Sequence, residues 1–255
     1  MTLNDGGPEQ AAPIYNRIGV GYAGVRRPDP RLAALIASHL AGAETVLNVG
    51  AGAGSYEPEG VEVTALDPSQ VMLDQHPGTR KVLGRAEEMP FDDGRFDAAM
   101  GVLTVHHWSD VQRGLAEMRR VSRRQVLYTW DPGHDTELWI VSEYFPQVRE
   151  LEQSRVPKLA DVAAGLGAHT VVPFPIPHDF TDGSQCAFWR RPHAYLDPAV
   201  RAASSTFHFL TEEQIADGVA RLSADLDSGA WHRRHADLLE RDAVDYGFRL
   251  LIAGD

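Results

Sequence analysis

The sequence predicts an α/β protein built on a doubly wound, largely parallel sheet. Three observations predict it. Short apolar, β-favouring runs alternate with helical patterns from about residue 30 to residue 130, as parallel strands joined by crossover helices require. The run Thr45-Val46-Leu47-Asn48-Val49 leads straight into a turn carrying Gly50, Gly52 and Gly54, so a strand buried on both faces ends where the backbone can turn sharply and let a ligand approach. About twenty residues on, Asp67 closes the next strand pattern, Val61 to Leu66. A glycine turn after one strand and an acid after the next is the arrangement that binds an adenosine nucleoside, the carboxylate accepting the ribose hydroxyls.

In chain order, Asp29-Pro30 marks a helix start, an N-cap acid followed by proline in the first turn. Leu32, Leu35, Ile36 and Leu40 form the apolar face of that helix, and Gly42 can end it. Pro68-Ser69 opens a short helix that carries Val71, Met72 and Leu73. Val82-Leu83 is a third strand, and residues 96–103 are a fourth, entered through Asp-Asp-Gly-Arg. Residues 111–121 are helical, with Leu115, Met118 and Val121 on one face and Arg119-Arg120 near the end. Residues 125–130 are a fifth strand. The second half is less regular. Residues 137–145 read as an aromatic-rich helix, 159–166 as another, and 169–174 as a sixth strand. The proline-rich stretch 175–180 cannot be a central strand. Residues 184–196, 200–206, 212–227 and 231–242 are helical patterns, Thr211 to Gln214 having capping character. Residues 247–252 are a last strand.

The ligand follows from what comes after the glycines. The dinucleotide fingerprint G-x-G-x-x-G precedes a long helix whose N-terminus faces a pyrophosphate. Here the spacing is G-x-G-x-G, Ser55 holds the third fingerprint position, and Pro58 and Gly60 interrupt the six residues before the second strand. One helical turn at most fits there. A ligand without phosphate, with a cationic sulfonium and an amino-acid tail, loses little by this, which points to S-adenosylmethionine (SAM). A nicotinamide-dependent oxidoreductase shares the glycine turn and the acid but needs the helix.

From residue 45 to about 130 the chain resembles a class I SAM-dependent methyltransferase of the small-molecule type related to the ubiquinone and menaquinone biosynthesis enzymes. The pieces that carry the resemblance are Val49 to Gly54, Leu66-Asp67-Pro68-Ser69 with Met72, Gly84 to Phe91, Phe96-Asp97-Ala98-Ala99, and Val105-His106-His107-Trp108. It implies a Rossmann-like, seven-stranded sheet whose last strand runs antiparallel. It implies that Asp67 holds the ribose, and that Gly50, Ala51, Gly52 and Val102 line the methionine part. Pro68, Met72, Ala86 and Glu87 would lie by the adenine. Tyr22 and Arg27 would come near the ligand on a lid. The family usually has Asp or Glu where this chain has Asn48, which can still hydrogen-bond near the amino group. A non-catalytic SAM-binding protein is the remaining alternative.

On this reading residues 1–28 are a tail and lid, residues 29–177 with 243–255 the SAM-binding domain, and residues 178–242 a helical cap that makes the acceptor pocket. His106 and His107 follow the fourth strand where the pocket should lie. A neutral imidazole there is a suitable general base, or each ring packs against the sheet. Trp130, Trp139, Tyr144, His178, Trp189 and Tyr195 are acceptor-pocket candidates or ordinary core, and Arg190-Arg191 could hold an acidic acceptor or lie in solvent. His232 and His235 have a spacing that could bind metal, without a carboxylate or cysteine nearby in sequence, so no metal is expected. The formal net charge of −12 disfavours a nucleic-acid partner. Cys186 is the one cysteine, and with no leader-like or membrane-spanning run in the sequence a reducing, cytoplasmic setting is expected. The expected partner is a small-molecule acceptor; the acceptor's identity, the methylated atom and the oligomeric state stay open.

Overall fold

The computed structural model describes residues 27–255. Its centre is a seven-stranded sheet whose strands lie side by side in the order 81–83, 62–67, 45–49, 96–102, 122–130, 248–254 and 170–173. β1 (Thr45–Val49) lies between β2 (Glu62–Asp67) and β4 (Phe96–Val102), parallel to both. The chain winds outward from β1 in both directions, to β3 (Lys81–Leu83) on one side and β5 (Ser122–Trp130) on the other. The strand order therefore reverses beside the carboxyl end of β1, where open α/β sheets bind their ligands. The last strand, β9 (Phe248–Gly254), is antiparallel to both β5 and β6 (Thr170–Pro173).

Alternation along the strands builds two cores. Val46, Ala98, Met100, Val126 and Leu250 face the helix α1 (Pro30–Leu40), which contributes Leu32, Ile36 and Leu40. Burying such a side chain is worth about 1.5–3 kcal/mol each. Leu47, Val49, Ala99, Leu127 and Leu251 point the other way, onto Leu115, Met118 and Val121 of the helix Val111–Val121 and Val162 and Leu166 of the helix Leu159–Leu166. Asp29 caps α1, its carboxylate accepting from the Arg31 N–H at 3.0 Å, and Ser69 caps the short helix Gln70–Gln75.

The chain between β5 and β9, apart from β6, is mostly helical and packs its own core of Trp139, Phe145, Tyr195, Phe207, Leu222 and Trp231. Here several elements differ from expectation. The helix expected over 137–145 is a single π-helical turn, Ile140–Tyr144, followed by a helix the pattern did not reveal, Pro146–Arg155. Pro146 separates them, because a proline disfavours helical backbone at the residue before it, and Phe145 sits at φ −133°, ψ 59°. Proline divides the stretch 184–196 in the same way, into two 3₁₀ turns, Gln185–Phe188 and Pro192–Leu196. Residues 200–206 straddle the helix Pro198–Ala202 and the turn Ser205–Phe209, and 231–242 breaks into Ala230–Arg234 and Ala236–Leu239. The helix Glu212–Asp227 forms as expected, behind a capping box of Thr211 and Gln214. The proline-rich stretch contributes only Ile176–Pro177, paired with Ala243–Val244 in a separate two-stranded ribbon. No helix of the described residues is long and apolar enough to cross a membrane.

Candidate functional site

The turn after β1 is held by the neighbouring strand and by Asp67. The N–H groups of Gly50 and Ala51 both donate to the Leu66 carbonyl, at 2.8 and 3.1 Å. Gly50 has φ +70°, and a Cβ there would lie 1.9 Å from Thr104 Oγ1. Only glycine satisfies both conditions. Gly52, at φ +54°, donates its N–H to Asp67 Oδ2 at 2.8 Å. The other carboxylate oxygen, Oδ1, accepts from the Ser69 N–H, also at 2.8 Å. Burial pushes the Asp67 carboxyl above its ordinary value, against the pull of those two N–H groups. No helix forms between the glycines and β2, as the Ser55-Pro58-Gly60 pattern implies.

A cavity of about 460 Å³ opens at this point and runs from the glycine turn to Gln185 and Ser204 in the second half of the chain. That volume lies within the ~300–1,000 Å³ usual for small-ligand sites. Asn48, Gly50, Ala51, Gly52, Asp67, Pro68, Met72, Ala86, Glu87, Val102, His106 and His107 all line it. Arg27 is exposed and outside the lining, and Tyr22 lies outside the described residues, as does most of the expected lid. Asn48 donates Nδ2 to Glu57 Oε1 at 2.9 Å, and the same oxygen meets His76 Nε2 at 2.8 Å. A carboxylate thus stands one residue contact behind the strand position. Glu87 uses Oε1 on Ser109, accepting from its N–H and, at 2.8 Å, its hydroxyl.

The two histidines differ. His106 contacts Trp130, with ring centroids 4.6 Å apart, and His107, at 3.9 Å. His107 is held to about 4 by burial and by the Arg155 cation, so its imidazole is neutral at physiological pH.

Of the aromatic candidates, only Trp130 lines the cavity. Trp139 donates to the Trp189 carbonyl, Trp189 to that of Ile176, Tyr195 to that of Gln185, and Tyr144 to Asp225. They are core residues of the second half. His178 and Arg190-Arg191 lie outside the lining; Arg191 donates to the carbonyls of Phe180 and Ala187. His232 and His235 form no group fit for a metal ion among the described residues, and His235 pairs with Glu143 at 2.9 Å.

The side of the cavity away from the glycine turn is polar, which sequence reading did not anticipate. Its lining includes His134, Glu137, Arg149, Glu152, Gln185 and Ser204. Glu137 pairs with Arg149. Burial pushes the Glu152 carboxyl up to about 7 against the lowering pull of the neighbouring Gln185 amide. No local motif marks these residues. An acid in the last turn of a helix reads as a solvated charge.

Comparison with known proteins agrees with this geometry. A methyltransferase domain family model matches residues 47–128. An uncharacterised methyltransferase of Mycobacterium tuberculosis is 41% identical over 91 residues, 32% of this chain and 37% of the relative; the match thus spans little more than a third of that protein's length. A phthiotriol/phenolphthiotriol dimycocerosates methyltransferase of the same species is 32% identical over 94 residues, 36% of this chain and 34% of the relative. Among solved structures, a methyltransferase assigned to an antibiotic biosynthesis pathway of Anabaena variabilis superposes with a TM-score of 0.84 at 30% identity, covering 91% of this chain and 99% of that one. A [4+2]-cyclase shares the fold at 15% identity, with a TM-score of 0.57 over 98% of this chain and 96% of its own.

Proposed function

The chain belongs to the class I SAM-dependent methyltransferases, and we propose that it methylates a small molecule held between the carboxyl ends of the central strands and the helical cap. The observation that carries this is the continuous cavity joining Asp67 and the glycine turn to the polar side away from them. The residues fit the cofactor. The Gly52 backbone is open where a Cβ would meet only Met72 Cε, at 3.3 Å. Asp67 has one acceptor position left on each oxygen once Gly52 and Ser69 are counted. The turn offers no helix N-terminus, so a pyrophosphate has no dipole partner and the nicotinamide alternative is disfavoured.

In this reading Asp67 accepts the two ribose hydroxyls, and Asn48, Gly50, Ala51, Gly52 and Val102 surround the methionine part. Pro68, Met72, Ala86 and Glu87 form the adenine side, while Tyr22 and Arg27 belong to a lid. The bound cofactor supplies an electrophilic methyl on a cationic sulfur, and its leaving group is neutral. The protein therefore has no leaving group to protonate; its task is alignment in a site shielded from water. Trp130 and His106 flank the end of the cofactor side, with His106 Nε2 or Nδ1 the group suited to take a proton from the acceptor. His107, neutral and packed against His106, positions that ring. Residues 178–242 act as the acceptor cap on the 29–177 and 243–255 scaffold.

Calorimetric titration with S-adenosylhomocysteine, with NAD in parallel, tests the reading. Micromolar binding of the former and none of the latter is expected. Binding of NAD alone would overturn it.

A further inference from the structure

Glu152 has no part in the cofactor side, yet it faces the cavity from the helix Pro146–Arg155. Its position is built. The Gln185 side-chain amide stands beside its carboxylate. Gln185 is fixed in turn at two points: its Oε1 accepts from the Ser204 hydroxyl at 2.9 Å, and its backbone carbonyl accepts from the Tyr195 hydroxyl at 2.7 Å. Ser204 and Gln185 line the same cavity.

The cations nearest along the helix are occupied elsewhere. Arg149 pairs with Glu137, and the Arg155 guanidinium lies 4.0 Å over the Phe209 ring. A carboxylate has about four acceptor sites, and one amide fills only one of them. A half-buried carboxyl left so short of donors is destabilising in the free protein. It gains when a ligand brings a donor, which is the usual setting of such groups. Charge points the same way. Among the described residues, the acids Asp131, Glu137 and Glu152 line this end against one arginine, Arg149, so an anionic acceptor is disfavoured.

We propose that Glu152, oriented by Gln185 and Ser204, anchors the methyl acceptor by accepting a hydrogen bond from it, and that the acceptors of this enzyme are small molecules bearing a hydroxyl or ammonium group. The proposal rests on the methyltransferase reading above.

Carboxyl ¹³C NMR of glutamate-labelled protein tests it, the Glu152 signal being assigned by its loss in Glu152→Gln. The probes are benzyl alcohol and benzylamine as donors, with anisole and benzyltrimethylammonium as donor-free controls. Each is titrated with and without S-adenosylhomocysteine. At least one donor is expected to move the signal, and to bind Glu152→Gln at least tenfold more weakly. The alcohol alone doing so indicates hydroxyl acceptors, the amine alone indicates ammonium acceptors, and either supports the proposal. It is overturned if no donor moves the signal, if either donor-free control moves it as far as the donors do, or if Glu152→Gln binds the donors within twofold of the parent protein. Glu152→Gln should bind S-adenosylhomocysteine as the parent does, which shows that the variant is folded. If S-adenosylhomocysteine binds neither protein, the cofactor reading fails, while the titrations without it still decide the role of Glu152.

Discussion

Replacing Asp67 by alanine should weaken S-adenosylhomocysteine binding by about 10²–10⁴-fold. Each Asp67 oxygen already holds one backbone N–H, at 2.8 Å in both cases. One acceptor position on each oxygen remains for the ribose diol. Two hydrogen bonds to a charged acceptor contribute about 1.5–3 kcal/mol each, or ~3–6 kcal/mol together, which is the stated range in affinity. Fold stability should change much less. Alanine orphans the N–H groups of Gly52 and Ser69, destabilising by ~1–3 kcal/mol per group that water does not reach. It also removes a carboxylate whose burial is itself unfavourable. Asp67→Asn separates these effects, since it keeps one oxygen and turns an amide donor toward one of the two N–H groups. Calorimetry gives the affinities, and urea unfolding of the unliganded variants gives the stabilities. An affinity for Asp67→Ala within threefold of the parent, with the fold intact, would refute the assignment of Asp67 to the ribose.

Three further outcomes follow from the same geometry. Gly50→Ala should destabilise by about 2–4 kcal/mol in urea unfolding, combining ~1–2 kcal/mol for a left-handed backbone with overlap on Thr104; Gly50→Ala with Thr104→Ala should recover only part of that, because the backbone term remains. His106→Gln should lower kcat with little change in S-adenosylhomocysteine affinity, whereas His107→Gln should leave the shape of the pH–rate profile above about pH 6 unchanged, its ring being neutral there. Glu152→Gln should stabilise the unliganded protein increasingly as pH rises. The Glu152 carboxyl is raised from 4.5 to about 7, so its favourable contribution is complete below its unfolded value and is lost as pH climbs through 7, a difference of at most about 3 kcal/mol, reduced where water enters the cavity; unfolding at about pH 5 and pH 8 measures it.

The cofactor half was legible in the sequence because its signals are local. Val46, Leu47 and Val49 must form a buried strand, Gly50 must turn, and Asp67 must stand at the next strand's end, each within a few residues of its cue. Even the missing helix could be read from Ser55, Pro58 and Gly60. The acceptor half was not legible in the same way. Trp139, Trp189 and Tyr195 resemble pocket aromatics in sequence, yet backbone carbonyls far along the chain take their polar atoms and bury their rings. Glu152 and Gln185 lie thirty-three residues apart, with a helix and strand β6 between them, and no period or spacing signals that they stand together. Pro192 divides the helix expected over 184–196 into two turns, and Pro146 opens the unexpected helix that carries Glu152.

The two halves are joined at Tyr56. This residue follows the glycine turn at φ +64°, a backbone state that disfavours a bulky side chain by roughly 1–3 kcal/mol. Its hydroxyl donates to the buried Asp182 carboxylate of the cap at 2.8 Å and accepts from the Asp29 N–H at 3.2 Å. Asp29, the cap of the first helix, also accepts from the Thr181 N–H at 3.1 Å. The strain at Tyr56 is thus offset by bonds that tie the cofactor turn, the first helix and the cap into one buried polar knot. The chain entering from residue 27 reaches Asp29 through this same knot. On the function proposed above, a movement of residues 178–242 away from the turn would break the bond between Tyr56 and Asp182.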